Sequence, residues 1–530
     1  MVKVSFLTLL IAILSITTQA QSLNLGVCDS MPDNFYKMKL TQLSIENGQG
    51  YCASYPKYLD KRISKFKELE DLTFLDRAYF AEGEQRTLPE EICELKQLKK
   101  LKTNAFNKEV FELKQLEVLE LILGSNTELV EKEGFKGFKE LHTLKLAFFY
   151  PEESMSLKGL AKLPKLETIE LRNPTQNIVD EVLQNHNLVN VTITQTKGLT
   201  FDFSGCPNIK WLNLDFNELE EVPASVYGLR NLEVLSLTYN KISVVDGAIG
   251  ELKKLTNFSL FNNQLTEVPE ELTQCWDLVY LMVDNNPSLT SLPQALGALK
   301  KLQHLSASHC NLVAIPNSLG QCNDLRLLNV SKNKLEVLDL DFSGLHKLVN
   351  VKLSKNQLKS IPSSFFTLPL ISDVDLSENK LTSLPNELCN MRQLVSLSLF
   401  SNELRLLPED IGHLEKLELL SVYYNNLEFL PASIGRLNNL RSLYVGMNNI
   451  KVIPESYKNL VALQAFEIQE NPLTTYPSFI YDMHSLDRVW VSFSYTKLPG
   501  YKVSEENPKV IVGRDKEAKQ EDDGDFNFVH

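Results

Sequence analysis

Histidine, cysteine and acidic side chains build most metal and catalytic sites, so their spacing is considered first. His304 and His309 lie close together in the chain. Two imidazoles supply only half of a tetrahedral zinc shell, and no carboxylate or cysteine ligand accompanies them at a matching spacing. The sequence therefore predicts no metal site.

Recognisable catalytic motifs are also missing. The chain has no Cys-x-x-Cys, no glycine-rich phosphate loop and no Gly-x-Ser-x-Gly, which are the patterns that mark redox, nucleotide and hydrolase sites. The neighbouring carboxylates Glu90 and Glu91 suit the polar start of a helix. We therefore expect neither an enzyme nor a bound cofactor.

Asparagine is the polar side chain that recurs at a regular spacing. From Ile209 onward the pattern L-x-x-L-x-L-x-x-N-x-L repeats every 23 residues, with one step of 24 near Pro287. An amide side chain both donates and accepts, so stacked copies can satisfy backbone groups that would otherwise be buried without partners. A structural asparagine ladder is predicted at Asn217, Asn240, Asn263, Asn286, Asn333, Asn356, Asn379, Asn402, Asn425, Asn448 and Asn471, with Cys310 inside the series and Ser494 at its end.

Short strands and turns must position this ladder. The alternating x-L-x-L-x segment predicts a strand with one buried face, and the x-x-I-G-x-L segment predicts a short helix or 3₁₀ turn. Proline follows most ladder asparagines by six residues and suits the extended stretch before that turn. Similar strands with irregular spacing begin near Leu40, which brings the total to about twenty turns and an arc of roughly 90 Å at the usual strand spacing.

These motifs resemble the leucine-rich repeat superfamily over nearly the whole chain after residue 20. The 23-residue L-P-x-x-I-x-x-L form is similar to the subclass found in Ras-binding scaffolds, plant Ras-group proteins and many bacterial repeat proteins. The resemblance implies an α/β solenoid shaped as a horseshoe, with a parallel concave β-sheet and short helical or 3₁₀ turns on the convex side. It also implies a protein-binding scaffold. That subclass is often intracellular, whereas this chain begins with the export signal described in the next paragraph. A Ras-type partner is therefore not expected, and secreted bacterial adhesins are the nearer analogy.

The N-terminus predicts export. Lys3 precedes the apolar run Val4–Ile16, and residues 18–20 form a small-residue cleavage site, so cleavage is expected after Ala20. An uncleaved anchor is the competing interpretation, but the run is short for a bilayer. The mature chain is expected to be secreted, extracellular or periplasmic, with no integral membrane segment.

The predicted organisation follows from the repeat spacing. After the signal peptide at 1–20, we expect an N-terminal cap with the first irregular repeat and then a long series of repeats. A disulfide between Cys28 and Cys52 is expected in the cap, because export allows disulfides. The N-terminal cap and first irregular repeat are expected at 21–65. Irregular repeats follow at 66–205, regular repeats at 206–496, a C-terminal cap at 497–513 and an acidic disordered tail at 514–530.

Five further cysteines share repeat positions with core residues. They are predicted to be small core hydrophobes rather than reactive thiols. These cysteines are Cys93, Cys206, Cys275, Cys322 and Cys389.

Side chains between the strand leucines, and those just before each asparagine, should project from the concave face. Two aromatic groups stand out there, with a stretch of positive and then negative charge between them. Aromatic side chains are enriched at protein interfaces, although lateral packing between turns explains the rings equally simply and a solvated face explains the charges. The predicted partner-binding residues are Trp211, Tyr239, Phe261, Tyr280, Lys352, Lys355, Asp373, Asp375, Phe400, Tyr423, Tyr424, Tyr444 and Trp490, accompanied by Phe216, Met282, Met447 and Phe493.

The predicted function is protein–protein recognition by a secreted repeat protein. A glycan-binding or adhesion surface using the same aromatics is the alternative, and a purely architectural role is the third class. Nucleic acid is not expected as a partner, because the chain carries a net charge of −13, which repels phosphate backbones.

Overall fold

The computed structural model describes residues 22–25, 35–46, 59–75, 88–124, 127–502 and 510–513. The chain divides into two compact units, one ending at Asn263 and the other beginning at Gln264. The predicted signal peptide, the predicted disulfide between Cys28 and Cys52, and the predicted tail at 514–530 lie outside the described residues.

The first unit is a series of parallel strands, each paired with the next one along the chain. Every connection therefore makes one full turn and returns beside the preceding strand. The strands are β1 (Ser22–Leu25), β2 (Gln42–Glu46), β3 (Asp71–Leu75), β4 (Lys100–Thr103), β5 (Val118–Leu123), β6 (Thr143–Phe148), β7 (Thr168–Arg172), β8 (Asn190–Thr194), β9 (Trp211–Asn213), β10 (Val234–Ser236) and β11 (Asn257–Ser259).

Short helices occupy the return side of these turns. Two of them are α-helices, α1 (Thr127–Glu133) and α2 (Gln176–Val182). The others in the first unit are 3₁₀ helices at Phe35–Lys37, Lys61–Lys65, Glu90–Glu94, Lys108–Glu112, Leu160–Lys162, Ala224–Gly228 and Gly247–Glu251.

The second unit repeats the arrangement with shorter strands and a nearly constant repeat length. Its consecutive strands are again parallel. They are β12 (Tyr280–Met282), β13 (His304–Ser306), β14 (Leu327–Asn329), β15 (Asn350–Lys352), β16 (Asp373–Asp375), β17 (Ser396–Ser398), β18 (Leu419–Ser421), β19 (Ser442–Tyr444), β20 (Ala465–Glu467), β21 (Arg488–Ser492) and β22 (Val510–Gly513).

Every described helix of the second unit is a 3₁₀ helix. The last strand, β22, lies within the predicted C-terminal cap and pairs with β21. The helices are Glu270–Gln274, Leu296–Ala298, Asn317–Gln321, Phe342–Gly344, Ser363–Thr367, Asn386–Asn390, Ile411–His413, Ala432–Arg436, Glu455–Asn459, Ser478–Asp482 and Phe493–Lys497.

The motif leucines form the core of each turn. In the repeat that contains β17, Leu394, Leu397 and Leu399 are completely buried, and so are Ile411 and Leu414 on the helical side. The residues that flank Leu397 in the strand remain half-exposed. The predicted architecture of about twenty turns, with parallel strands on one side and mainly 3₁₀ helices on the other, is thus confirmed. Among the described residues, no helix combines the length and the apolar composition needed to cross a bilayer.

The ladder asparagines are buried, and each joins its own turn to a neighbouring one. The Asn402 amide donates to the carbonyls of Leu376 and Leu399 at 3.0 and 3.2 Å, and its Oδ1 accepts from the Leu381 N–H at 3.0 Å. The same triad recurs at Asn333, Asn356, Asn379, Asn425, Asn448 and Asn471.

Cys310 holds the ladder position in the one turn whose neighbour is a residue longer. Its thiol donates weakly to the carbonyl of Val283 at 3.4 Å. A thiol is a poor acceptor. The backbone N–H of Asn286 lies against it, whereas the Leu289 N–H donates to the Asn286 carbonyl within the longer turn. The extra residue and the cysteine are therefore linked.

The predicted end of the ladder at Ser494 is wrong. Ser494 is exposed and lies in the last 3₁₀ helix. The neighbouring Tyr495 closes the series instead: its buried hydroxyl accepts from the Asn471 N–H at 2.8 Å and lies 2.9 Å from the Ile468 carbonyl. A longer side chain replaces the amide because the backbone has already turned into a helix there.

The residue before each regular-repeat asparagine has a left-handed backbone, with φ between 52° and 59°. This conformation is unfavourable for most side chains. Here it turns the chain out of the strand, and it sets the direction of one exposed side chain in every repeat. The residues are Phe216, Tyr239, Asn262, Asn285, Lys332, Lys355, Glu378, Ser401, Tyr424, Met447 and Glu470, with His309 before Cys310.

Candidate binding surface

The outward side of the strands, called the sheet face below, presents four side chains in each regular repeat. Two flank the buried strand residue, one follows the next core residue, and the fourth has the left-handed backbone. In the repeat of β18 these are Leu419, Ser421, Tyr423 and Tyr424. All thirteen predicted partner-binding residues occupy such positions.

In the irregular repeats of the first unit, the sheet face carries its own counter-ions. Lys102 pairs with Glu120 and Lys145 pairs with Glu170, each at 2.7 Å between nitrogen and oxygen. These residues lie opposite one another in the register of β4 to β7. Sequence analysis missed this ladder, although alternating lysine and glutamate at one repeat position is its signature. Such exposed pairs contribute little energy individually, but the four side chains neutralise one another.

Further along the first unit, the sheet face becomes aromatic. The rings of Phe216 and Tyr239 stack with their centroids 4.5 Å apart, and Phe261 meets Tyr239 edge-on at 5.3 Å. Trp211 remains 48% exposed. Polar groups lie beneath the rings: the Asp215 carboxylate accepts from Ser236 Oγ and from the Thr238 N–H, both at 2.7 Å. The rings thus pack partly on one another and partly face solvent.

Tyr280 and Met282 open the second unit, and both are exposed. Tyr280 stacks on His304 at 4.5 Å between centroids, and burial, followed by the charge of Arg326, lowers the pKa of His304. Beneath them, Asp284 is buried and its Oδ1 accepts from Ser308 N–H at 3.0 Å.

The charged residues of the central repeats are arranged as neighbours across strands. Lys355 pairs with Glu378 at 3.3 Å. Lys352 lies opposite Asp375 in the register of β15 and β16, and the Asp375 carboxylate accepts from the Ser377 hydroxyl and N–H. Asp373 accepts from the Ser372 hydroxyl. This part of the face is largely bonded within itself.

The later aromatic group occupies the sheet face from β17 to β19. The rings of Phe400 and Tyr423 are 5.9 Å apart, and Tyr423 lies over Gly446, where an added Cβ would be 2.8 Å from Tyr423 Cε2. Burial raises the pKa of Tyr423. Tyr424 is 55% exposed, and Tyr444 and Met447 continue the group. Gly446 was not among the predicted residues, and the absence of a side chain there leaves the space that the Tyr423 ring occupies.

Trp490 lies two strands beyond Tyr444. The two are separated by Glu467, which faces Tyr444 on one side and Trp490 on the other in the strand register. The Arg488 guanidinium lies 5.3 Å from the centre of the Trp490 ring. Burial raises the pKa of Glu467, and this effect is larger than the opposite effects of Gln469 and Arg488.

Nucleophilic and metal chemistry finds little support in the described residues. Burial raises the pKa of the thiols of Cys206, Cys310, Cys322 and Cys389 to about 11, so they are protonated and unreactive near neutral pH. Cys275 is likewise buried, whereas Cys93 is only half-buried, contrary to its predicted core role. No group of three histidine, cysteine or acidic residues in the described ranges is placed to hold a metal ion.

Comparisons with known proteins agree with this geometry. Four sequence-family models match and together cover more than half of the chain. They are a leucine-rich repeat region at 387–491, a leucine rich repeat at 207–265 and 346–404, a BspA type leucine rich repeat region at 99–218, and a further Leucine Rich Repeat at 301–322. A search of curated protein sequences found no match.

Solved structures share the fold at low sequence identity. A Leptospira interrogans leucine-rich repeat protein is 26% identical, with a TM-score of 0.51 over 80% of this chain and 90% of its own. A TDR receptor is 21% identical, with a TM-score of 0.59 and coverage of 93% and 92%. The Arabidopsis receptor kinase HAESA, in complex with the peptide hormone IDA and the co-receptor SERK1, is 20% identical, with a TM-score of 0.55 and coverage of 94% and 92%.

The repeated strand and 3₁₀ helix, the buried asparagine ladder and the four matching family models lead to one conclusion: this chain belongs to the leucine-rich repeat superfamily.

Proposed function

We propose that the chain is exported and recognises a protein ligand through the aromatic groups of its sheet face. The observation that carries the proposal is the later aromatic group, Phe400, Tyr423, Tyr424, Tyr444 and Met447. Large rings at these positions are not required by the repeat, because its core is already complete without them. Aromatic side chains gathered on a solvated surface are characteristic of protein interfaces.

The equivalent positions of other repeats support this interpretation over lateral packing. The position of Tyr423 is filled by serine in four consecutive repeats, at Ser308, Ser331, Ser354 and Ser377. The turns stack there with the same backbone register. Lateral packing accounts for the part of Tyr423 that rests on Gly446, but it does not account for Tyr424, more than half of which is exposed.

Export is the second part of the proposal, and its support is the apolar N-terminal run with a small-residue cleavage site. The Arabidopsis receptor kinase in the comparison is bound to a peptide hormone, so this fold is able to present a surface to a peptide. The ligand class proposed for this chain rests on its own aromatic residues.

The test replaces three rings with residues that the chain itself uses at the same repeat positions. The variant Tyr423→Ser, Tyr424→Asn, Tyr444→Ser should fold normally, because Ser377, Asn285 and Ser421 occupy the equivalent places. The full-length protein serves as bait for extracellular proteins crosslinked in place. We expect the specifically captured partner to fall at least about tenfold, since central interface aromatics carry much of the binding energy.

The matched control is Phe429→Ser. Phe429 is 67% exposed and lies away from the sheet face, and Ser360 and Ser383 fill its position in other repeats. The control should capture the partner as the unaltered protein does. Equal capture by the triple variant and the unaltered chain would remove the support for this aromatic group.

A glycan ligand remains the alternative, and the first unit supplies the observation that favours it. The exposed Trp211 lies beside Asn213 and Asp215, and a ring next to polar groups suits a sugar. Binding of the full chain to a glycan array, lost on Trp211→Ser and with no protein partner captured, would favour this alternative.

A further inference from the structure

The sheet face at β19 to β21 combines aromatic rings with a carboxylate that has no ion-pair partner among the described residues. Glu467 is half-buried between Tyr444 and Trp490, and its carboxylate accepts a long bond of 3.4 Å from Gln469 Nε2. A carboxylate withdrawn from water without a counter-ion is unfavourable. Its ionised form therefore gains from any cation brought to it.

Gln469 adds a second unsatisfied acceptor. Its side-chain Oε1 is buried and has no hydrogen-bond donor among the described residues, while the same amide group bonds to Tyr423. Buried polar atoms in folded proteins nearly always have hydrogen-bond partners. A donor supplied by a ligand would therefore satisfy this oxygen. Glu467 and Gln469 are two residues apart, and both face outward from the same repeat.

The basic side chain on the adjoining strand offsets this burial only in part, because its charge lowers the pKa of Glu467 by less than burial raises it. Arg488 places its guanidinium over the Trp490 ring, 5.3 Å from the centroid, and forms no ion pair with Glu467 among the described residues. Glu470, in the same repeat, adds a further negative charge and accepts only a 3.3 Å bond from Ser492 Oγ. The twenty outward positions of β16 to β20 include five acidic residues and no lysine or arginine.

Aromatic faces complete the arrangement. The Tyr423 ring lies over Gly446 and faces this repeat. A Cβ added at Gly446 would be 2.8 Å from Tyr423 Cε2 and 3.0 Å from the backbone oxygen of Gln469. Aromatic faces attract cations, and the carboxylate supplies the directional acceptor. The complementary group is a cation with several donors on an apolar stem.

We propose that this surface, formed by Tyr423, Tyr444, Glu467, Gln469 and Trp490, binds a lysine or arginine side chain of the protein partner. The inference rests on the proposed function, since it names the chemistry of the ligand at one end of the later aromatic group. An anionic ligand would be repelled by Glu467 and Glu470. A partner segment that presents a basic residue next to apolar side chains would satisfy the acceptors and cover the rings.

The test uses a phage-displayed random dodecapeptide library selected on the full chain. Enriched peptides are then measured against the unaltered chain, Glu467→Gln, the matched control Glu428→Gln and the triple tyrosine variant. Glu428 is exposed and lies outside the sheet face. We expect enriched peptides to contain lysine or arginine, to lose at least about tenfold in affinity on Glu467→Gln, to bind the control normally, and to weaken as salt rises.

The other outcomes separate the two proposals. Peptides without basic residues that bind Glu467→Gln normally but fail on the tyrosine variant would overturn the inference and leave the proposed function standing. Peptides that bind every variant alike, or the absence of any enrichment, would count against both. Thermal unfolding checks the fold, and Glu467→Gln should be at least as stable as the unaltered chain because it removes a desolvated charge.

Discussion

At the scale of single residues, the buried asparagines are the most constrained positions of the chain. Each satisfies an N–H of a neighbouring turn and two carbonyls that water cannot reach. Replacing Asn402 with alanine leaves the Leu381 N–H and the carbonyls of Leu376 and Leu399 without this partner. We expect the free energy of unfolding to fall by at least about 2 kcal/mol, since one buried unsatisfied group costs roughly 1–3 kcal/mol. Urea denaturation measures it, and the exposed Asn426→Ala should change stability by less than about 0.5 kcal/mol.

Cys310 provides a contrasting case within the same ladder. One of the donors that other ladder amides serve is already satisfied here, because the Leu289 N–H bonds to the Asn286 carbonyl. We expect Cys310→Ala to cost about 1 kcal/mol, the usual size for one weak buried contact, and clearly less than Asn333→Ala. Equal losses in the two variants, measured by denaturation, would contradict the link between the longer turn and the cysteine.

His304 should give the fold a dependence on pH. Its pKa in the folded chain is lowered by burial and by Arg326, so the unfolded chain takes up a proton first as the pH falls. Stability is then unaffected above the ordinary histidine pKa of about 6.5 and declines below it, until the folded form is protonated too. His304→Gln should flatten this decline between about pH 7 and pH 5. The exposed His413→Gln is the control, and identical pH profiles for the two variants would refute the assignment.

The position of a residue was predictable where the repeat spacing defines it. It was not predictable where a side chain contacts a backbone group that another repeat position usually serves. The buried ladder asparagines follow directly from the 23-residue spacing. Tyr495 does not, because its hydroxyl serves a position that the sequence pattern assigns to Ser494. Similarly, the pattern identifies Tyr423 as outward-facing but not its contact with Gly446, which depends on the missing side chain of the next repeat.

At the scale of elements, glycine allows the 3₁₀ helices of adjacent turns to approach closely. A Cβ added at Gly435 would lie 2.3 Å from the Ser456 carbonyl oxygen, and the backbone cannot easily yield. We expect Gly435→Ala to destabilise the second unit by about 1–3 kcal/mol, as overpacked sites do.

Gly228 is the matched control, because it ends an equivalent 3₁₀ helix and an added Cβ there would meet nothing within 4 Å. Gly228→Ala should be neutral, or stabilising by up to about 1 kcal/mol. Thermal unfolding of the two variants distinguishes them, and a loss of equal size would show that backbone freedom, rather than close approach, dominates.

The strands were predictable as elements because leucine alternation persists even where the spacing is irregular. The irregular strands begin near Leu40 as predicted, with β2 at Gln42–Glu46. The prediction left a short helix and a 3₁₀ turn open, and α2 takes the α-helical form. Its buried residues Ile178, Val179 and Val182 follow the spacing of a helix face, but the segment is too short for periodicity alone to separate an α-helix from a 3₁₀ turn.

At the scale of the whole molecule, the proposed export defines the mature chain. Cleavage after Ala20 would leave Gln21 at the N-terminus. We expect mass spectrometry of the protein recovered outside the cytoplasm to find a peptide beginning at Gln21, and replacing Ala20 with arginine should block its formation. An intact N-terminal methionine on the exported protein would refute cleavage.

The constant interval between ladder asparagines also affects how such a gene can change. Removing residues 380–402 joins Asn379 to Glu403, the residue that normally follows Asn402. Asn425 would lose the Leu399 carbonyl but would meet the equivalent carbonyl of Leu376 at the same spacing. Unequal recombination in steps of one repeat therefore lengthens or shortens the protein without breaking the pattern, whereas smaller insertions displace it. The step of 24 residues from Asn286 to Cys310 contains one such insertion, and the next ladder position there is held by a cysteine.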